Sequence, residues 1–408
     1  MKKYLAISML LLSVVVLNTP AQEPAKKYSL EQAISDHAQL HTIAFDGLAY
    51  LTGDFGFDTF LPPGKVSDYF GFQYMRDIDA KVGGHNTSFL TRIANNMLAI
   101  LTTEQKAQLL ALGTAQENDI RRFAEMRLPL IQAFRQNLEG KLPTGSTGLD
   151  KAAVLKYSAD LYTLDGLIAF QRAKVMGDII HGLSDSQKAA LAKLKFGDSR
   201  TWPDVPEQLD KRSVPHAVDV AVMTYASEMF AWYAGSIEAD TYFCPERHGM
   251  YFGGFGMKTA PAMGKQDYSI STSLTGDSGQ AFLAALTEPQ RKYITDLPGL
   301  QRQDLSEIVQ TRRAIAMELR HFQKGETVDK AKILALSKRY GELDGELAYF
   351  YATAFAKVGQ TLTAQQKEKL AKLRTINPAD PRGPFLYSDP IDAPKIENTD
   401  FLFRAPKS

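Results

Sequence analysis

LTTEQK at Leu101–Lys106, LSDSQK at Leu183–Lys188, LTEPQR at Leu286–Arg291 and LTAQQK at Leu362–Lys367 are four copies of one pattern. Each is Leu, a hydroxyl residue, two free positions, Gln and a base. That pattern spells a capping box. The hydroxyl of Thr102, Ser184, Thr287 or Thr363 accepts from the N–H three residues on, while Gln105, Gln187, Gln290 or Gln366 reaches back to the cap's own N–H. Four helices are therefore expected to begin at these caps, with Pro289 in a first turn, where a missing N–H costs little.

The copies agree beyond the box. Seven residues past each cap stand Leu109, Leu191, Ile294 and Leu370, and ten past stand Leu112, Leu194, Leu297 and Leu373, on one helical face. The staple position holds Lys106, Lys188, Arg291 or Lys367, so no ordinary hydrophobic staple forms. The programme then repeats as a whole. Ile120, Phe123, Arg127, Leu130 and Phe134 recur as Leu305, Ile308, Arg312, Ile315 and Leu319, a shift of 185 residues. Asp150-Lys151 recurs as Asp329-Lys330, and Leu164-Asp165-Gly166 as Leu343-Asp344-Gly345. This is the signature of an internal duplication.

The fold expected is all-α, with two tandem helical repeats forming a pseudo-dimer. The divisions are a signal peptide at 1–21, repeat one at 22–197, a linker at 198–213, repeat two at 214–376 and an extended or mobile tail at 377–408. The chain's 408 residues suffice for large cores. MKKYLAISMLLLSVVVLNTPAQ reads as a secretory leader cut after Ala21, with no cysteine there to take a lipid. No later stretch is apolar enough to span a bilayer, so the expected location is periplasmic. Removing the two leader lysines takes the formal charge from +1 to about −1, which leaves no electrostatic footprint for nucleic acid or an anionic membrane. The single cysteine, Cys244, cannot form an internal disulfide, so packing holds the chain together. No CxxCH attaches a haem.

The paired boxes in an exported helical chain resemble the Spy/CpxP family of periplasmic chaperones and stress proteins. A family monomer carries two boxes, and here the two pairs are 82 and 76 residues apart (Leu101 to Leu183, Leu286 to Leu362). The match covers 101–194 and 286–373. The resemblance implies helical halves, a curved pseudo-dimer, and ATP-independent binding of unfolded or partner proteins in envelope quality control. A covalent pseudo-dimer would serve as a monomer; no cofactor is expected, and no catalytic motif points to an enzyme.

The densest aromatic patches, YFGF from Tyr69 and YFGGF from Tyr251, supply the candidate client-binding residues Phe70, Phe72, Tyr251, Phe252 and Phe255. Core plugging is the competing reading, and the favoured one. Cys244, His248, Met250, Met257 and Met263 form a soft-ligand cluster of the kind copper prefers, but the first half has no counterpart, so no metal site is favoured. His37 and His41 share a helix face without a third ligand. Arg127 and Arg312 interrupt apolar stripes, and are expected to pair with Asp165 and Asp344, each within its own half. No nucleophile elbow, phosphate loop or zinc-protease motif is present. A copper-binding stress protein and a non-catalytic scaffold for one partner remain the alternatives.

Overall fold

A computed structural model describes residues 35–53, 75–76, 88–195, 199–210, 212–235, 237, 273–373, 385–386, 389–390, 396 and 398–405. Eleven helices are named among them: α1 (Asp36–Thr52), α2 (Ser88–Ile100), α3 (Thr103–Glu139), α4 (Lys151–His181), α5 (Asp185–Leu191), α6 (His216–Ala234), α7 (Ser273–Ala285), α8 (Glu288–Thr295), α9 (Leu297–Leu319), α10 (Lys330–Gly359) and α11 (Ala364–Leu373). The class is all-α. Among the described residues the strands form a three-stranded antiparallel sheet of two-residue strands, β1 (Met75–Arg76), β2 (Phe385–Leu386) and β3 (Asp389–Pro390).

The boxes start helices where their chemistry requires. Thr102 Oγ1 accepts from Gln105 N–H at 3.2 Å, and Gln105 Oε1 accepts from Thr102 N–H at 2.9 Å. The same reciprocal bonds close at Ser184 with Gln187 and at Thr363 with Gln366, and Gln290 Oε1 reaches back to Thr287 N–H at 2.9 Å. The first box opens one continuous 37-residue helix, α3. The third opens α8, which stops at Asp296 because Pro298, in the first turn of α9, has no N–H to continue the ladder. Both long runs end on glycines with positive φ, Gly140 at 70° and Gly325 at 73°.

The molecule is organised around α4 and α10, which pack along their length. Small residues let them approach. A Cβ added to Gly166 would lie 2.2 Å from Ser337 Oγ, and one added to Gly345 would lie 2.7 Å from Ser158 Cβ. Gly166 and Gly345 are matched in the sequence at a shift of 179, as are Ser158 and Ser337, so the close contact occurs twice with the roles exchanged. Other contacts recur likewise. Arg135 donates to Tyr50 O at 3.3 Å and lies over that ring, while Arg320 donates to Trp232 O at 3.1 Å and lies over the indole.

Two apolar cores flank the α4–α10 crossing. The first joins α2, α5 and α6 to one end of the long helices, and the second joins α1, α7, α8 and α11 to the other. The cores do not follow chain order. α6 opens the second half of the sequence but packs on α2 and α3, whereas α1 opens the first half but packs on α7 and α9. Each half lends its first helix to the other. α6 is apolar nearly all round and suits full burial there.

Two expectations need correction. The segment taken as a linker is strapped along α2: Arg92 donates to Trp202 O at 3.2 Å, Asn96 to Pro203 O at 3.0 Å, and the Trp202 ring meets Phe230 edge-on at 4.6 Å. The tail, expected to be extended or mobile, is docked at its described end. Leu402 and Phe403 are buried in the second core, Leu402 O accepts from Asp150 N–H at 2.8 Å, and Arg404 N–H donates to Gly148 O at 3.0 Å. Two apolar side chains and a short backbone bridge suffice to hold it.

Candidate functional site

The box glutamines carry a second role. With Oε1 committed to its own cap, Gln187 still has an NH₂ group. It donates to Ile100 O at 2.9 Å and to Gln105 Oε1 at 2.7 Å, joining the second box to the first. Gln366 repeats this at the other end, donating to Ala285 O at 3.0 Å and Gln290 Oε1 at 2.8 Å. One side chain thus caps a helix and braces it to the helix end beside it. The side-chain and backbone atoms that define the boxes are occupied by the frame, which leaves client or ligand contacts to other surfaces.

Polar groups also fill the interior. Arg127, Arg312, Asp165 and Asp344 are all buried around the α4–α10 crossing. For Asp165 the expected pairing with Arg127 of its own half is corrected. The charges that act on Asp165 are Arg312 and Asp344, both from the other half, because the close α4–α10 contact brings those residues into one interior. Burial pushes the Asp165 carboxyl well above the usual range, with Arg312 opposing and Asp344 adding. Tyr162 donates its hydroxyl to Asp344, and Arg312 donates to Tyr340 Oη at 3.0 Å.

The first core holds a second buried network that the sequence reading missed. Arg172 Nη1 donates to Glu228 Oε2 at 3.1 Å and to Oε1 at 3.3 Å, and its guanidinium lies 4.4 Å from the Tyr225 ring centre. Tyr225 donates to Gln116 Oε1 at 2.9 Å, and Gln116 donates on to Ile168 O and Gln171 Oε1. Burial raises Glu228 to about 7, against the opposing pull of Arg172. The available signal was Glu228 as the lone charge in the apolar run 220–233. At the matched place in the second core Tyr351 stands for Arg172. Its hydroxyl donates to Gln301, which donates to Gln39 Oε1 at 2.8 Å.

Directly outside the first network, α3 and α4 diverge and leave an open groove of about 510 Å³. Ala111, Leu112 and Ala115 line one wall, and Phe170 and Val175 the other. Its polar edge includes Gln171, the outer end of the buried chain, and Lys174 with Asp178, which pair at 2.9 Å. The Phe170 wall is fixed from behind by an edge contact to Phe322 at 5.4 Å and by Lys330, 5.8 Å from the ring centre. A firm apolar trough with a hydrogen-bonding edge can take apolar side chains of a polypeptide without rearrangement.

The aromatic candidates Phe70, Phe72, Tyr251, Phe252 and Phe255 lie outside the described residues, as do the soft-ligand residues Cys244, His248, Met250, Met257 and Met263. His37 and His41 both fall in α1, but their side chains are outside the description. Among the described residues, no group of three or more His, Cys, Asp or Glu side chains is arranged to hold a metal, and no helix is long and apolar enough to cross a membrane. Comparison with protein-family models, curated proteins and solved structures gave no match.

Proposed function

We infer that the protein is an exported, ATP-independent binder of non-native or partner proteins, of the Spy/CpxP kind, acting in envelope protein quality control. The observation that carries this reading is the open α3–α4 groove, an apolar surface held on braced helices. An unfolding client exposes apolar side chains, and covering them contributes ~25 cal/mol per Å² removed from water before binding costs. The recurring contacts at the sequence shifts support a covalent pseudo-dimer in which the boxes serve the frame. The near-neutral charge assigns little of the capture to electrostatics, so activity is expected to vary weakly with salt.

The test is light scattering by an aggregating model protein, without nucleotide, at near-equal molar ratio. Wild type is expected to suppress the signal. Ala115→Trp, which fills the groove from an exposed position, is expected to lose suppression while keeping its fold. No suppression by folded wild type contradicts the reading. Unchanged suppression by folded Ala115→Trp moves the client surface elsewhere.

A further inference from the structure

The surface of the second half that matches the groove carries a ridge. At the shift of 185, Gln108 becomes Tyr293 and Ala115 becomes Leu300; at the shift of 179, Asp178 becomes Lys357. Leu300 is 57% exposed and Tyr293 42% exposed, two of the few large apolar side chains left to solvent among the described residues. Lys357 Nζ sits 5.2 Å from the Tyr293 ring centre, fixing that ring at the foot of the ridge. Ala115 in the trough stands where the ridge has Leu300, Gln108 stands where it has Tyr293, and the rim of the trough carries an acid, paired with Lys174, where the ridge carries a base.

We propose that copies of this chain associate head to tail, the Tyr293–Leu300 ridge of one copy seated in the α3–α4 groove of the next. Three features fit a second copy as the occupant. The groove has Ala115 where the ridge has the exposed Leu300. Asp178 at the groove edge, half-exposed beside Lys174, is opposite in sign to Lys357 beside the ridge. Groove and ridge are also different surfaces of one chain, so the contact is heterologous and leaves a free groove at one end and a free ridge at the other. The ridge offers far less than the ~1,200 Å² that a stable pair buries, so the association is weak and reversible. That clients and copies compete for one groove rests on the proposed function. The self-association rests only on the two surfaces.

The experiment is sedimentation velocity of the full mature chain over a concentration series at low salt. Wild type is expected to sediment faster as concentration rises, passing through dimers to longer species. Leu300→Asp, at an exposed position, is expected to weaken association about tenfold or more, as loss of a central apolar anchor does. Asp178→Lys is expected to weaken it less, and Asp178→Lys combined with Lys357→Asp to restore it. A wild type that stays monomeric throughout, a dimer that closes at two copies, or folded Leu300→Asp with unchanged association overturns the proposal. So does a charge-swapped double variant no better than Asp178→Lys. If association follows the expected pattern while scattering shows no client protection, the ridge–groove contact stands and the chaperone reading falls. The reverse outcome separates them the other way.

Discussion

The two halves use matched positions for opposite surfaces. In the first half Gln108 and Ala115 line the open groove between α3 and α4; in the second, Tyr293 and Leu300 stand exposed at the same two places. The same contrast runs inward. Beneath the groove lies the Arg172–Glu228 ion pair; at the matched place in the second core stands Tyr351, a neutral group held by Gln301. The frame, by contrast, is kept alike: the box braces, the Gly166–Ser337 and Gly345–Ser158 contacts and the Arg135 and Arg320 ties recur. Residues that hold the helices are constrained by contacts made twice, while those on the outer faces are free to diverge into a trough and a ridge.

The largest expected effect sets the two cores against each other. Arg172→Ala leaves Glu228 in the interior without its counter-charge and is expected to cost ~3–5 kcal/mol at about pH 9, where Glu228 is ionised in the wild type. Tyr351→Phe, losing one hydroxyl bond, is expected to cost ~1 kcal/mol. Denaturant melts that give equal losses would break the contrast.

Stability against pH sharpens the same point. The folded-state pKa of Glu228, raised to about 7, means the fold binds a proton the unfolded chain has released. Its contribution is therefore full below the unfolded value and is lost as pH rises through about 7, a change on the order of 3 kcal/mol. Asp304, lifted to about 6 by burial and then by Glu346, acts with the same sign. Glu228→Gln is expected to flatten the greater part of this slope between pH 4.5 and 8. A variant with the wild-type slope would remove Glu228 as its source.

At the shared frame the effects should match. Gly166→Ala and Gly345→Ala each force a methyl against the facing helix, at ~1–3 kcal/mol, with the larger loss at Gly166, where the approach is closer. A loss at one position alone would show that the crossing is not reciprocal. The smallest effect is in the braces. Gln187→Ala and Gln366→Ala are each expected to cost ~1 kcal/mol, and urea melts should place them together.

Much of the frame was legible because it is written in local chemistry. A hydroxyl and a glutamine three apart specify a helix start, and the caps at Thr102, Ser184, Thr287 and Thr363 need no knowledge of the rest of the chain. What the second nitrogen of Gln187 or Gln366 bonds to was not legible, since its partner is 82 or 76 residues away. The expectation for Asp165 failed for a related reason. Periodicity placed Arg127 and Arg312 on buried faces, but the choice of acid depends on α4 meeting α10 at glycine and serine. The docking of Leu402 and Phe403 escaped notice because two side chains make no periodic pattern. The groove was illegible for the opposite reason: it is made by what Ala111 and Ala115 lack, and an alanine on an exposed helix face carries no signal until the neighbouring helix is in place.

The most direct test of the account uses the matched pair of positions at its centre. A photoreactive phenylalanine analogue is placed at Ala115 or at Leu300, and each protein is irradiated with an unfolding client present in excess. Position 115 is expected to give client adducts and position 300 few; with client left out, position 300 is expected to give adducts to a second copy of the chain instead. Client adducts of equal yield from both positions, or from position 300 alone, would contradict the account.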